Sequence, residues 1–208
     1  MSYPGLIRLG GVATAASALL AVMSFVLYLA IVGGGRISEA ATSAASAASA
    51  AFFLPSGSQL LAMLLLLVGL VALFVRQAEM FGALGLVGFL LALVGTAMAA
   101  GALWSQVFVV PRLAEVAPAV VDTGAGSVLV GFLLSFLIFG VGWLVFGVAT
   151  LRTRVFPRWA VMLLIVGAVI SILPLPSRAL VLEIAAACLG FTLLMGRGAS
   201  DQQPSRVS

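Results

Sequence analysis

Glu183 is the residue of this chain whose setting most invites chemistry. It follows Arg178-Ala-Leu-Val-Leu and begins an otherwise apolar run, about one turn in. An ionisable group surrounded by apolar neighbours has two uses: a protonatable site facing an interior, or a carboxylate held by a nearby guanidinium. Arg178, Arg112 and Arg36 are the candidate partners. Arg112 and Glu115 stand three apart after Pro111 in RLAEVAPAVV, the spacing of a local ion pair on one helix face. Arg152, Arg154 and Arg158, with Pro157 and Trp159, make the densest basic cluster, suited to orienting the chain or meeting anionic headgroups.

The missing residue types are as informative. The chain has no histidine and no lysine, so its ten basic residues are all arginine, against six acids and one cysteine. Without histidine, bis-His haem ligation, the usual zinc and copper sites and Ser-His-Asp nucleophiles are excluded. Without lysine there is no Schiff base and no P-loop lysine. No two carboxylates share an acid/base spacing. The expectation is no catalytic residue, no metal, no cofactor and no enzymatic activity. Cys188, inside AAACLGF, reads as a small packing residue, and a single cysteine permits no internal disulfide.

The elements that must position these groups are set by apolarity. The chain is 63% hydrophobic and 8% charged, with a mean hydropathy of +1.31, outside the soluble globular range. Crossing hydrocarbon takes about 20 apolar residues in a helix, whose backbone bonds close internally. Six runs qualify, at about 10–32, 60–75, 81–104, 128–150, 160–174 and 179–195. The first is longer than a signal-peptide core and has no small-x-small cleavage site, so it reads as an uncleaved span. The fold class expected is all-α, a polytopic membrane bundle of about six spans within one domain over residues 1–196. Residues 197–208 read as a disordered cytoplasmic tail.

Arginine counting orients the bundle. With six spans, Arg8, Arg76, Arg152, Arg154, Arg158, Arg197 and Arg206 fall on one side, and Arg36, Arg112 and Arg178 on the other. Positive residues stay inside, which places both termini in the cytoplasm of a bacterial inner membrane. The Ala/Ser-rich segment 36–58 reads as external. If 37–54 instead crosses as a seventh span, only the N-terminus changes side and the tally is unchanged. With the arginines spread over the loops and no basic, aromatic-interleaved face, nucleic acid is not an expected partner.

Helix faces supply the remaining signal. Gly88, Ala92, Thr96 and Ala100 recur every four residues, a small-residue face that lets another helix approach closely. Gly131, Ser135, Gly140 and Gly142 are expected to do the same in the fourth span. Such a face holds the chain's own bundle together or meets a membrane-protein partner or a second copy. From Gly140 onward, GVGWLVFGVATLRTRVFPRWAVMLLIVGAVISILP resembles multi-pass bacterial membrane proteins of the DUF4386-like kind. Trp143, Gly147, Arg152, Arg154, Pro157, Arg158 and Trp159 carry the likeness. It implies a six-to-seven-helix membrane protein and brings no activity with it. The function expected is an accessory or structural subunit, or a lipid- or lipophile-binding bundle, in contact with membrane lipids. The rival is a small-solute or ion transporter using Glu183.

Overall fold

A computed structural model of the chain describes residues 3–31, 50–122, 126–173 and 178–195. Every element described is helical: α1 (Tyr3–Ile31), α2 (Ala50–Gln77), α3 (Ala83–Phe108), α4 (Val110–Val116), α5 (Pro118–Asp122), α6 (Gly126–Thr153), α7 (Arg158–Ile172) and α8 (Leu180–Met195). Four stretches are long and apolar enough to cross a membrane: Gly5–Ile31, Phe53–Gln77, Ala83–Val116 and Leu129–Thr153. The apolar helices α7 and α8 are shorter, at 15 and 16 residues. At about 1.5 Å per residue they cover roughly 22–24 Å, less than a full hydrocarbon core. The chain is a helical membrane bundle.

Six helices pack in a closed cycle, α1 on α2, α2 on α3, α3 on α6, α6 on α7, α7 on α8, and α8 back on α1. Their outer faces carry Leu19, Val26, Leu90, Val94, Val130 and Phe191, all exposed. Lipid tails solvate these residues as well as a protein core does, so burial of apolar area cannot drive the helices together. Close fit does that work. A Cβ on Gly88 would lie 2.7 Å from the backbone nitrogen of Phe146, and one on Gly95 2.5 Å from Phe139 Cα. Only glycine permits that approach, and the buried rings of Phe139, Trp143 and Phe146 fill the space on either side.

Two boundaries differ from the hydropathy reading. The second span begins at Ala50, not near residue 60, so at least residues 50–58 of the segment read as external belong to α2. Its first turns contain Pro55, Gly57, Ser58 and Gln59, which lower hydropathy and discourage helices in water. In the bundle, Ser24 of α1 donates to the Pro55 carbonyl at 2.8 Å and Ser58 donates to it at 3.0 Å. Neighbouring helices accommodate proline in this way. The connection expected over 105–127 contains the end of α3 and the two short helices α4 and α5. Whether 37–54 crosses as a whole, and the tail 197–208, lie outside the described residues.

Candidate functional site

Glu183 lies in the first turn of α8 and its side chain is fully buried, 0% exposed. Its Oε1 accepts a hydrogen bond from Gln59 Nε2 of α2 at 2.9 Å, and its Oε2 is buried with no hydrogen-bond partner among the described residues. The pairing with Arg178 or Arg112 expected from sequence does not form. Arg112 holds Glu115 at 2.7 Å on the exposed face of α4, as their spacing predicts. Arg178 instead lays its guanidinium over two rings of α6, 3.8 Å from the Phe136 centroid and 4.8 Å from that of Phe132. Both guanidinium groups are engaged elsewhere. Arg36 is outside the described residues.

Helix register shows how deep Glu183 sits. A Cβ on Gly11 of α1 would meet the Gly190 carbonyl and Leu194, while Gly190 meets Thr14, so α1 and α8 run antiparallel. Glu183 precedes Gly190 by seven residues, about two turns and 10 Å. That step brings it level with residues 18–21 of α1, close to Ser17, the midpoint of the 29-residue helix. Because α8 is short, its first turn falls inside the span of its long neighbours, with Glu183 beside Gln59 of α2.

The face formed by Gly88, Ala92, Thr96 and Ala100 is buried throughout. Helix α6 packs on it, with the Gly142 backbone against Ala92 and Trp143 Nε1 donating to Thr96 Oγ1 at 2.9 Å. Arg152, Arg154 and Arg158 are exposed around the α6–α7 turn. Arg154 adopts a positive φ of 56° just after α6 ends, while Phe156 is buried in the core. Gln77, at the same end of the bundle, is 1% exposed. It receives a hydrogen bond from Thr153 at 2.8 Å and donates to the Leu73 carbonyl at 3.0 Å.

A second feature has no counterpart in the sequence reading. A groove of about 690 Å³ runs between the last turns of α3 and the first turns of α6, roofed by α4 and α5. Its lining is mostly apolar, with Met98, Ala102, Leu113 and Phe132 among the walls and Ser105 and Gln106 as polar points. Gly101 and Gly131 both line it, and among the described residues nothing lies within 4 Å of a Cβ built on either. Gly131 therefore does not serve helix packing as expected. Both glycines widen the groove, and both are exposed, as are Leu129 and Leu134 beside them, so the groove opens sideways toward lipid.

Among the described residues, no three of the metal-ligating side chains Cys, Asp and Glu converge on one point. No family model, curated protein or solved structure matches this chain. Gln59 and Gln77 are the polar residues that sequence reasoning passed over, because each stands at the edge of an apolar run and reads as a boundary. A glutamine within such a run that finds a partner on another helix leaves no periodic trace.

Proposed function

We propose that this protein is a non-enzymatic, lipophile-binding helix bundle of a bacterial cytoplasmic membrane, with both termini in the cytoplasm. The groove between α3 and α6 carries the reading. Its volume lies within the roughly 300–1,000 Å³ typical of ligand sites, and its walls are apolar with few polar points. Two glycines inside spanning helices each cost about 0.5–1 kcal/mol relative to alanine, yet neither Gly101 nor Gly131 gains a close helix contact in return. What they provide is room. The absence of histidine and lysine favours binding over catalysis. Quenching of Trp104 fluorescence by a brominated lipid tests the reading, because Trp104 stands one turn beyond Gly101. Occupancy by the brominated chain is expected to quench it more strongly in wild type than in Gly101→Leu. Equal quenching in both contradicts it.

A second reading is favoured by Glu183 alone. A fully buried carboxylate with an unpartnered oxygen, level with the middle of α1, is where a transporter would hold a solute or ion. In that case Glu183→Gln abolishes uptake into proteoliposomes. Under the lipophile reading, the same change is tolerated.

A further inference from the structure

We propose that the groove takes an uncharged lipid ending in a hydroxyl group, of the diacylglycerol class, an inference that rests on the lipophile reading above. Its walls decide the class. Among the described residues lining the groove, none is charged. Charges stand nearby without entering it. Helix α4 gives Val110 and Leu113 to the roof, while its Arg112 and Glu115 pair with each other on the exposed side. Arg178 stacks on Phe132, a wall residue, without lining the groove itself. A phosphate or carboxylate drawn under this roof would lose its water and meet no cation, a cost that an uncharged head avoids.

Polar side chains fix the head. Ser105 and Gln106 line the groove where α3 ends under the roof, and each can both donate and accept a hydrogen bond. A hydroxyl group does the same, so it matches either. Ser135 is the third polar wall residue. The antiparallel register that sets Gly88 beside Phe146 and Gly95 beside Phe139 brings it level with Ala99, about six residues or roughly 9 Å deeper than Ser105. Its hydroxyl already donates to the Gly131 carbonyl at 2.8 Å, so it leaves no donor for a ligand to satisfy. Between those two levels the walls are apolar, with Gly101, Ala102 and Phe132 among them. The head therefore lies at Ser105 and Gln106, and the acyl chain runs past Gly101 and Gly131 and out beside Leu134, which is exposed to lipid.

The test uses the full chain in phosphatidylcholine nanodiscs doped with one of two photoreactive probes, diacylglycerol or phosphatidic acid, each carrying the same diazirine in its acyl chain. The probes differ only in a hydroxyl group against a phosphate. After irradiation, labelling of the groove segments of α3 and α6 is read by peptide mass spectrometry. Diacylglycerol is expected to label them about tenfold more than phosphatidic acid, because only the phosphate is buried without a counter-charge. Ser105→Ala combined with Gln106→Leu, at half-buried and exposed positions, lowers diacylglycerol labelling about fivefold, the scale of one neutral hydrogen bond. Gly101→Leu lowers it as well, by filling the groove. Equal or stronger labelling by phosphatidic acid, still lowered by Gly101→Leu, overturns the uncharged class and leaves the lipophile reading standing. Diacylglycerol labelling unchanged in the double variant overturns the placement of the head at Ser105 and Gln106. Labelling by both probes unchanged in Gly101→Leu overturns the lipophile reading too.

Discussion

Glu183 has one oxygen held by Gln59 and one without a partner among the described residues, and substitution distinguishes what each is for. Glu183→Gln keeps shape and hydrogen-bonding capacity, so thermal unfolding in detergent is expected at the wild-type temperature or above. A fall of several degrees would mean that the carboxylate itself ties the bundle together. Thr96 makes a different contribution. It accepts from Trp143 and donates to the Ala92 carbonyl at 2.6 Å, in a position that buries both side chains completely. Thr96→Val removes the acceptor and leaves the indole N–H orphaned. The loss expected is about 0.6–1.7 kcal/mol, the range for hydrogen bonds between membrane helices, read from unfolding in mixed micelles. Residue type and local spacing made the Arg112–Glu115 pair and the buried Thr96 legible in advance. The partner of Glu183 was not legible, because Gln59 is 124 positions away and reads as the edge of a span.

At the scale of elements, α3 and α6 are joined by backbone contact more than by side-chain area. Gly88→Leu forces bulk into the backbone of Phe146 and separates the pair. Overpacking of this kind costs about 1–3 kcal/mol or more, and the variant is expected to lose its folded fraction in gentle detergent. Fluorescence-detected size exclusion measures this directly, and a wild-type elution profile would contradict the packing described. The turn between α6 and α7 carries the opposite liability. Arg154 holds a left-handed backbone, which favours glycine, because burial of Phe156 dictates the path of the chain. Arg154→Gly is expected to leave stability unchanged or raise it by up to about 1 kcal/mol in the same unfolding assay. Four-residue repeats of small side chains revealed the α3 face, since that periodicity survives in one dimension. The start of α2 was hidden because Pro55, Gly57 and Ser58 lower hydropathy where a neighbouring helix supplies their hydrogen bonds.

For the molecule as a whole, apolar run lengths made a helical membrane bundle readable from composition, since lipid requires each span to close its own backbone bonds. Depth and cavities were not readable. The apolar run that begins at 179 places Glu183 near a helix end, as it is, but not its depth: α8 spans only part of its neighbours' length, so its first turn lies inside theirs, beside Gln59 of α2. Gly131 looks like a packing residue in the sequence, and only the positions of α3, α4 and α6 make it and Gly101 the walls of a groove. The central claim is that this groove holds a lipophile. Purification in gentle detergent, followed by solvent extraction and mass spectrometry of wild type beside Gly101→Leu, tests it most directly. Leucine enters open space there and replaces a helix glycine, so the variant is expected to be as stable as wild type or more so. A lipophile near one per chain is expected in wild type, and its loss in Gly101→Leu. An empty wild-type protein, or equal amounts bound to both, would contradict it.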